Sequence, residues 1–370
     1  MPTFIDVHLK QGRATMKLKF LALPAVVAAV LATAACGSGS DTTTATTTDA
    51  AGHFGTVKVF DLPGSKTQPF GITTGKDGNL WITEALGNYV DKVSAQGKLL
   101  GRYAIPSAKA NSQGISQGYD DRTWFTECAA SKIAAITSDG KISEYPTPTP
   151  KSNPCALTRG PQNKMWFTSY DAAKLGSITS DGKIEEMDTP TAKSGPYQIT
   201  QAPGGELWLG ENAADKVASF STPNSFDEFK LAHAKSDVAG IAVAADGTIW
   251  FAETDGNRIG KLVADSGAPG GRRLVEYPMP HSGDYPYGLL VGPDGDVWFS
   301  ELGGDRIGQI DDKGQIREWS LPTGSAPRDI TIGPDGNLWV ALSGASGNDP
   351  KIIGNNQPGI ARFSLQGSGG

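Results

Sequence analysis

Pro286-Tyr-Gly-Leu-Leu-Val-Gly-Pro-Asp-Gly-Asp-Val-Trp-Phe-Ser-Glu301, followed by Asp305-Arg-Ile-Gly-Gln-Ile310 and Gly314-Gln-Ile-Arg-Glu-Trp319, holds four short apolar runs separated by Gly, Pro and Asp-Gly. Runs of this length bounded by turn residues read as β-strands, and Asp-Gly between two of them reads as a tight hairpin. The unit is a four-stranded meander, strands A to D. Its tryptophan recurs at Trp81, Trp124, Trp166, Trp208, Trp250, Trp298 and Trp339, at intervals of 43, 42, 42, 42, 48 and 41 residues, and Trp319 alone stands outside the register. Asp77-Gly78, Asp246-Gly247, Asp294-Gly295 and Asp335-Gly336 turn A into B, whereas Asp139-Gly140 and Asp181-Gly182 turn C into D. A small sheet repeated at this period signals radial repetition. The expected fold is all-β, a seven-bladed β-propeller of four-stranded blades.

Closure is legible too. The last unit has strands A and B around Trp339 and a third near Ile360-Ala-Arg-Phe363, with no fourth. Val57-Lys-Val-Phe-Asp-Leu62, ahead of the first unit, carries the strand-D pattern. The N-terminal strand is therefore expected to complete the last blade and hide two edges that invite aggregation. The propeller is placed at 54–366.

Upstream, Met16-Lys-Leu-Lys and the apolar stretch Phe20 to Ala32 read as an export signal within 1–36, with Met16 the start. A comfortable membrane span needs roughly 20 apolar residues, and this stretch is shorter. Thr33-Ala34-Ala35-Cys36 resembles a bacterial lipobox, which makes Cys36 the acylated residue; ordinary cleavage near Ala35 is the alternative. Residues 37–53, rich in Thr, Ser, Ala and Asp without apolar period, read as a disordered tether. The expected product is a cell-surface or periplasmic lipoprotein, otherwise a secreted protein. It would be monomeric and would touch membrane only through its lipid.

The chain of 370 residues is 38% hydrophobic and contains 47 glycines, enough for a large core with many unusual backbone torsions. A net charge of −6 and the lack of a basic run argue against nucleic acid as a partner. Four His and three Cys form no zinc spacing. Gly114-Ile-Ser-Gln-Gly118 fits a nucleophile-elbow string but aligns with Gly71-Ile-Thr-Thr-Gly75 in strand A, so the match is accidental.

In a propeller, strand A lines the central channel, so the start of A, the end of B, the B–C loops and the D–A loops share one rim. The rim position that opens strand A holds Phe70, Gln113, Cys155, Tyr197, Ala239, Tyr287 and Arg328. The position that ends strand B holds Glu84, Glu127, Ser169, Glu211, Glu253, Glu301 and Leu342. The five glutamates admit two readings. They pair with backbone or basic neighbours in each blade, which repetition favours, or they supply oxygen ligands for Mg²⁺ or Ca²⁺. The first ring varies from blade to blade, as a surface facing a small-molecule or peptide-like ligand would. Cys128 and Cys155 fall on the same rim of adjacent blades, and export predicts a disulfide between them. His233 and His281 occupy equivalent D–A loops and read as exposed loop residues. The long B–C insertion of blade seven, 343–359, reads as a lid over the channel mouth, or as a passive loop that detours around the closure strand 57–62.

The unit Pro-x-Gly-Ile…Asp-Gly-x-Leu-Trp-Phe-Thr-Glu…Asn-x-Ile-Gly-x-Ile…Gly-x-Ile-x-Glu-Tyr-Pro resembles the streptogramin B lyase (virginiamycin B lyase) family across about residues 55–365. The resemblance implies a seven-bladed propeller that opens a cyclic depsipeptide by Mg²⁺-dependent elimination at an ester. It also implies a His at the strand-A rim position and, fourteen residues later, a metal-holding Glu. No blade of this chain has that His; Tyr287 stands at its position before Glu301. The enzyme reading implied is a metal-dependent carbon–oxygen lyase with Glu253 and Glu301 as metal ligands. Tyr287, beside Glu301, or a loop His would carry the proton. The alternative is a non-catalytic surface propeller that holds a peptide, glycan or cell-wall ligand with Phe70, Tyr197, Tyr287 and Arg328.

Overall fold

The computed structural model describes residues 42–48, 54–64, 67–222, 225–344 and 358–365. The export segment with Cys36, and the central part of the blade-seven insertion at 345–357, lie outside the described residues. Seven antiparallel sheets are present, six of four strands and one of five. Each strand A contacts strand A of the next blade, and Pro327–Ile332 contacts Pro69–Thr74, so the ring closes. The fifth-strand sheet is blade seven. Phe54–Asp61 lies beside Gly359–Phe363, with Val57 opposite Phe363 and Asp61 opposite Gly359. The expected closure is what the structure shows. One segment differs from its expectation: Thr42–Thr48, within the presumed tether, pairs along the outer edge of Phe54–Asp61. Threonine suits a pleated strand, and the outermost strand offers an unpaired row of backbone groups.

The tetrapeptide Trp-Phe-Thr-Glu of strand B gives each residue a separate task. In blades one, two, six and seven the indole N–H donates to the turn aspartate four residues earlier, Asp77 for Trp81 at 3.2 Å and Asp335 for Trp339 at 2.9 Å. In blades three and four it donates to the Pro161 carbonyl and to Glu206. The ring stacks on an aromatic of strand D, as in Trp81–Tyr103, Trp124–Tyr145 and Trp208–Phe229. In blade six that partner is Trp319, which accounts for the one tryptophan outside the repeat. In blade seven it is Phe60, so the N-terminal strand replaces a strand D in packing as well as in pairing. The Phe fills the core between blades, with Phe125, Phe251 and Phe299 fully buried.

The hydroxyl ties one blade to the next. Thr83 Oγ1 accepts the Gly71 N–H at 3.0 Å and donates to the Gln113 carbonyl of blade two at 2.7 Å. Thr126 repeats this between Gly114 and Cys155, and Ser300 between Gly288 and Arg328. The inner strands approach so closely that a Cβ on Gly71 would lie 2.2 Å from the Gln113 carbonyl oxygen, which explains Gly in Pro-x-Gly. Strand A opens in all seven blades with a register shift, a β-bulge that re-aims the rim residue.

Thr83→Val should therefore leave a buried N–H and a buried C=O unpaired. Urea unfolding should show a loss of about 1–3 kcal/mol, most of it restored in Thr83→Ser. An unchanged midpoint for the valine variant would refute the bridge.

Candidate functional site at the channel mouth

Each blade enters strand A through a left-handed residue. Asn111, Asn153, Gly195 and Asp237 tolerate this, but Tyr285 at φ 50° and Ala326 at φ 45° carry strain directly beside Tyr287 and Arg328. The bulge that follows turns rim side chains toward the axis. There, four of the expected ligand residues meet. The Tyr287 and Tyr197 hydroxyls are 2.5 Å apart, and Tyr197 donates onward to Gln113 Oε1 at 3.2 Å. Phe70 meets Tyr287 edge to face at 6.1 Å, and the Arg328 guanidinium lies 4.6 Å from the Phe70 ring and 5.3 Å from that of Tyr287. These contacts join blades one, two, four, six and seven across the channel. Tyr170 adds a second edge-to-face contact with Tyr197 at 6.3 Å. Burial pushes the Tyr287 hydroxyl up to about 12, and burial together with Tyr287 raises Tyr197 well above the usual range. Both phenols are hydrogen-bond donors at neutral pH, not bases.

Further along the inner strands lies a cavity of ≈ 200 Å³ whose polar lining includes Thr73, Ser116, Gln198, Thr200, Asp329 and Thr331. Asp329 stands at the position held by Gly in Pro-x-Gly. Its carboxylate accepts the Ile72 N–H of blade one at 3.1 Å and the Ile330 N–H at 3.0 Å, while burial pushes it up to about 7. Blade seven has Ala341 where Thr83 stands in blade one, so Asp329 takes over the tie to the next blade.

The glutamate ring faces elsewhere. All five side chains are fully buried and none lines the cavity. In blade two, Lys132 donates to Glu144 of strand D at 2.7 Å and to Ser107 of the preceding loop at 2.8 Å, beside Glu127. Blade four repeats this with Lys216, Glu228 and Thr191 beside Glu211. Blade three ends strand B in Ser169, and its Lys174 turns instead to Asp188. Burial, and then the strand-D glutamate, pushes Glu127, Glu211 and Glu253 up to about 7. The lysines thus pair with the strand-D glutamates, while both carboxylate oxygens of Glu127, Glu211 and Glu253 are buried without a hydrogen-bond partner. Blades five and six use His233 and His281 in the loop, each 3.2 Å from Glu276 or Glu318, so these half-exposed histidines have definite partners.

Blade six adds a carboxylate, and blade one likewise places buried Asp91 beside Glu84 and Arg102. Asp284 replaces the Ser found at this loop position in blades three, four, five and seven, and its carboxylate lies with those of Glu301 and Glu318, ligand atoms within 4.8 Å of one another. Arg306 donates to Asp284 at 2.8 Å and to Glu301 at 3.4 Å. Burial, and then Glu318 and Asp284, hold Glu301 well above the usual carboxylate range. Oε1 of Glu301 and Oε1 of Glu318 are buried without a hydrogen-bond partner.

Three sequence expectations thus change. Tyr287 and Glu301 do not act on one point, because the phenol turns to the channel and the carboxyl to the blade interior. Glu253 and Glu301 do not share a site: Glu253 stays in its own blade with Glu276 and Arg258, and only Glu301 joins a triple carboxylate. Cys128 and Cys155 are both buried as free thiols, so no disulfide joins them in this structure. Sequence reasoning passed over Tyr170, Asp284 and Asp329. The signal for the last two was present, as each breaks the small-residue rule of its aligned position.

The architecture and this axial cluster define a seven-bladed propeller with its candidate site at one channel mouth. Its likeness is to the virginiamycin B lyase family, whose family model matches residues 189–348. A streptogramin B lyase structure is 29% identical, covers 84% of this chain and 97% of its own, and superposes with a TM-score of 0.74. Virginiamycin B lyase from Staphylococcus aureus is also 29% identical, with coverage of 84% and 99% and a TM-score of 0.75. A catalytically inactive histidine-to-alanine variant of the S. aureus enzyme, crystallised with quinupristin, is 29% identical over 84% and 99%, TM-score 0.74. Among curated protein sequences nothing matches the chain.

The raised carboxyls set a pH dependence. An Asp in an unfolded chain titrates near 4, whereas Asp329 titrates at about 7 in the fold. Between those values the folded state holds a proton that the unfolded state has lost, so stability falls as pH rises through this window and levels off above it. Glu127, Glu211 and Glu253 act in the same direction. Urea midpoints of Asp329→Asn should decline less steeply over this window than those of the parent; equal slopes would show that Asp329 is not protonated in the fold.

Proposed function

We propose that the propeller binds a peptide-like macrocycle of the streptogramin B class at its channel mouth, through Phe70, Tyr197, Tyr287 and Arg328. The observation that carries this reading is the convergence of these side chains from four blades on one axial cluster, at the rim position where the family likeness implies the catalytic His. Aromatic faces suit the apolar rings of such a ligand, and the tyrosine hydroxyls and the guanidinium suit its carbonyls.

Ring-opening elimination is the second reading, favoured by Asp329. It is the channel carboxylate whose affinity for protons lies near neutrality, so it suits removal of a proton beside an ester, while Tyr287 suits donation to the departing oxygen. Asp284, Glu301 and Glu318 would hold a divalent cation. Their convergence within 4.8 Å and all-oxygen donor set fit Mg²⁺ or Ca²⁺, and a bound cation would offset the excess negative charge that Arg306 balances only in part. In the family such an ion supplies charge stabilisation at the ester; here Glu301 turns into the blade, so a cation would act by fixing Asp284 and the rim segment that leads to Tyr287. The export reading belongs to the same proposal: a lipid on Cys36 would display the mouth at the cell surface. Detergent partitioning of the parent, lost in Cys36→Ala, would support that display.

Quinupristin is the probe. Calorimetric titration should show saturable binding, weakened at least tenfold in Arg328→Gln and in Tyr197→Phe/Tyr287→Phe. Absence of binding, or equal affinity in all variants, would overturn the ligand reading. Elimination should yield a linear isomer separable by chromatography, lost in Asp329→Asn and suppressed by chelator. Binding without this product would leave a binding propeller.

A further inference from the structure

The two described cysteines lie on either side of the interface of blades two and three, where the Cys155 thiol donates to the Asn153 carbonyl at 3.3 Å. Cys128 directly follows the end of strand B in blade two, and Cys155 occupies the rim position of blade three. The equivalent pair one interface onward is Tyr170 and Tyr197, whose rings touch at 6.3 Å. Two interfaces further, Thr254 Oγ1 donates to the carbonyl just before Tyr287, at 2.7 Å. These two positions therefore meet as a rule of the fold. At the cysteine pair a single hydroxyl links the partners: Thr126 Oγ1 lies 3.7 Å from Cys128 Sγ and donates to the Cys155 carbonyl at 3.1 Å. Both side chains are almost wholly buried, 1% and 5% exposed, which disfavours cross-links between protein molecules and slows exchange with a small disulfide.

We propose that Cys128 and Cys155 form a redox latch, closing to an inter-blade disulfide when a low-molecular-weight disulfide reaches them. One protein thiolate attacks the small disulfide and releases one small thiol. The second attacks the protein sulfur of the mixed disulfide and releases the other. Two protein thiols are oxidised to one S–S bond, one small disulfide is reduced to two thiols, and the thiol protons are retained by the small-molecule products or solvent. The thiol of Cys128 beside it, and then burial, hold Cys155 well above its usual range, so the reaction should be slow at neutral pH and faster in alkali. The closed latch would fix the wall of the mouth next to Tyr170 and Tyr197. This inference is independent of the ligand assigned to the mouth.

The test is incubation of the folded protein with oxidised glutathione, acid quench, alkylation in denaturant and non-reducing peptide mapping. The expected result is one cross-linked peptide joining Cys128 to Cys155 within one molecule. It should come with a mass loss of two hydrogens and a melting midpoint raised by several degrees, all reversed by dithiothreitol. Cys128→Ser and Cys155→Ser should each abolish the cross-link and the rise. If a serine variant misfolds by circular dichroism, the alanine variants take its place. Alkylation of both cysteines after oxidation, glutathione adducts alone, or cross-links to Cys36 or between molecules would overturn the latch.

Discussion

Seven inner strands must converge on one axis so closely that the carbonyl of one lies where the Cβ of its neighbour would be. Most of the local sequence answers to that constraint. Glycine after the rim residue gives clearance, as at Gly71 and Gly288. The bulge and the left-handed residue ahead of it turn the chain into the channel, and the strand-B hydroxyl ties blades whose backbones already touch. Where the constraint is met by another residue, function becomes possible, because a larger side chain at the glycine position occupies the channel itself. Gln198 and Asp329 are such substitutions, and both line the cavity.

The same crowding separates two rings that look equivalent on paper. Rim residues at the bulge turn to the axis, and the strand-B glutamates turn into the blade, beside a strand-D glutamate in blades two, four, five and six and beside Asp91 and Arg102 in blade one. The result is one layer of aromatic and guanidinium contacts over the channel, and around it a set of carboxylate clusters that share protons with their own blades. Blade six departs from this division by one residue, Asp284, which makes its cluster more negative than the others.

The tryptophan spacing and the Asp-Gly turns made the fold legible because they report local requirements repeated around the ring, and the orphan strand before the first blade made the closure legible because it has no partner in its own blade. The rim ring was legible for the opposite reason: Phe70, Tyr197, Tyr287 and Arg328 break a repeat. The glutamate ring was harder to read, since spacing places Glu253 and Glu301 at one height without telling which way a carboxyl turns. That direction depends on strand-C and strand-D partners far along the chain. The strand Thr42–Thr48 was invisible to apolar periodicity because its pairing rests on backbone groups and not on a buried face. The proton affinity of Asp329 came from enclosure, which only the assembled ring supplies.

The sheet that closes the ring has a timing written into it. Gly359–Phe363 lies between Phe54–Asp61 and Leu338–Leu342, so the last strand of the propeller to leave the ribosome is an inner strand of the sheet that the first one edges. Until it arrives, the emerging chain is an open arc: blade one lacks its closed neighbour, and Phe54–Asp61 has no inner partner. Pairing across some 300 residues comes late and at high loop-closure entropy. The growing arc must therefore be kept from joining a second arc by its free faces, a burden that falls on the speed of synthesis and on whatever shields the nascent chain.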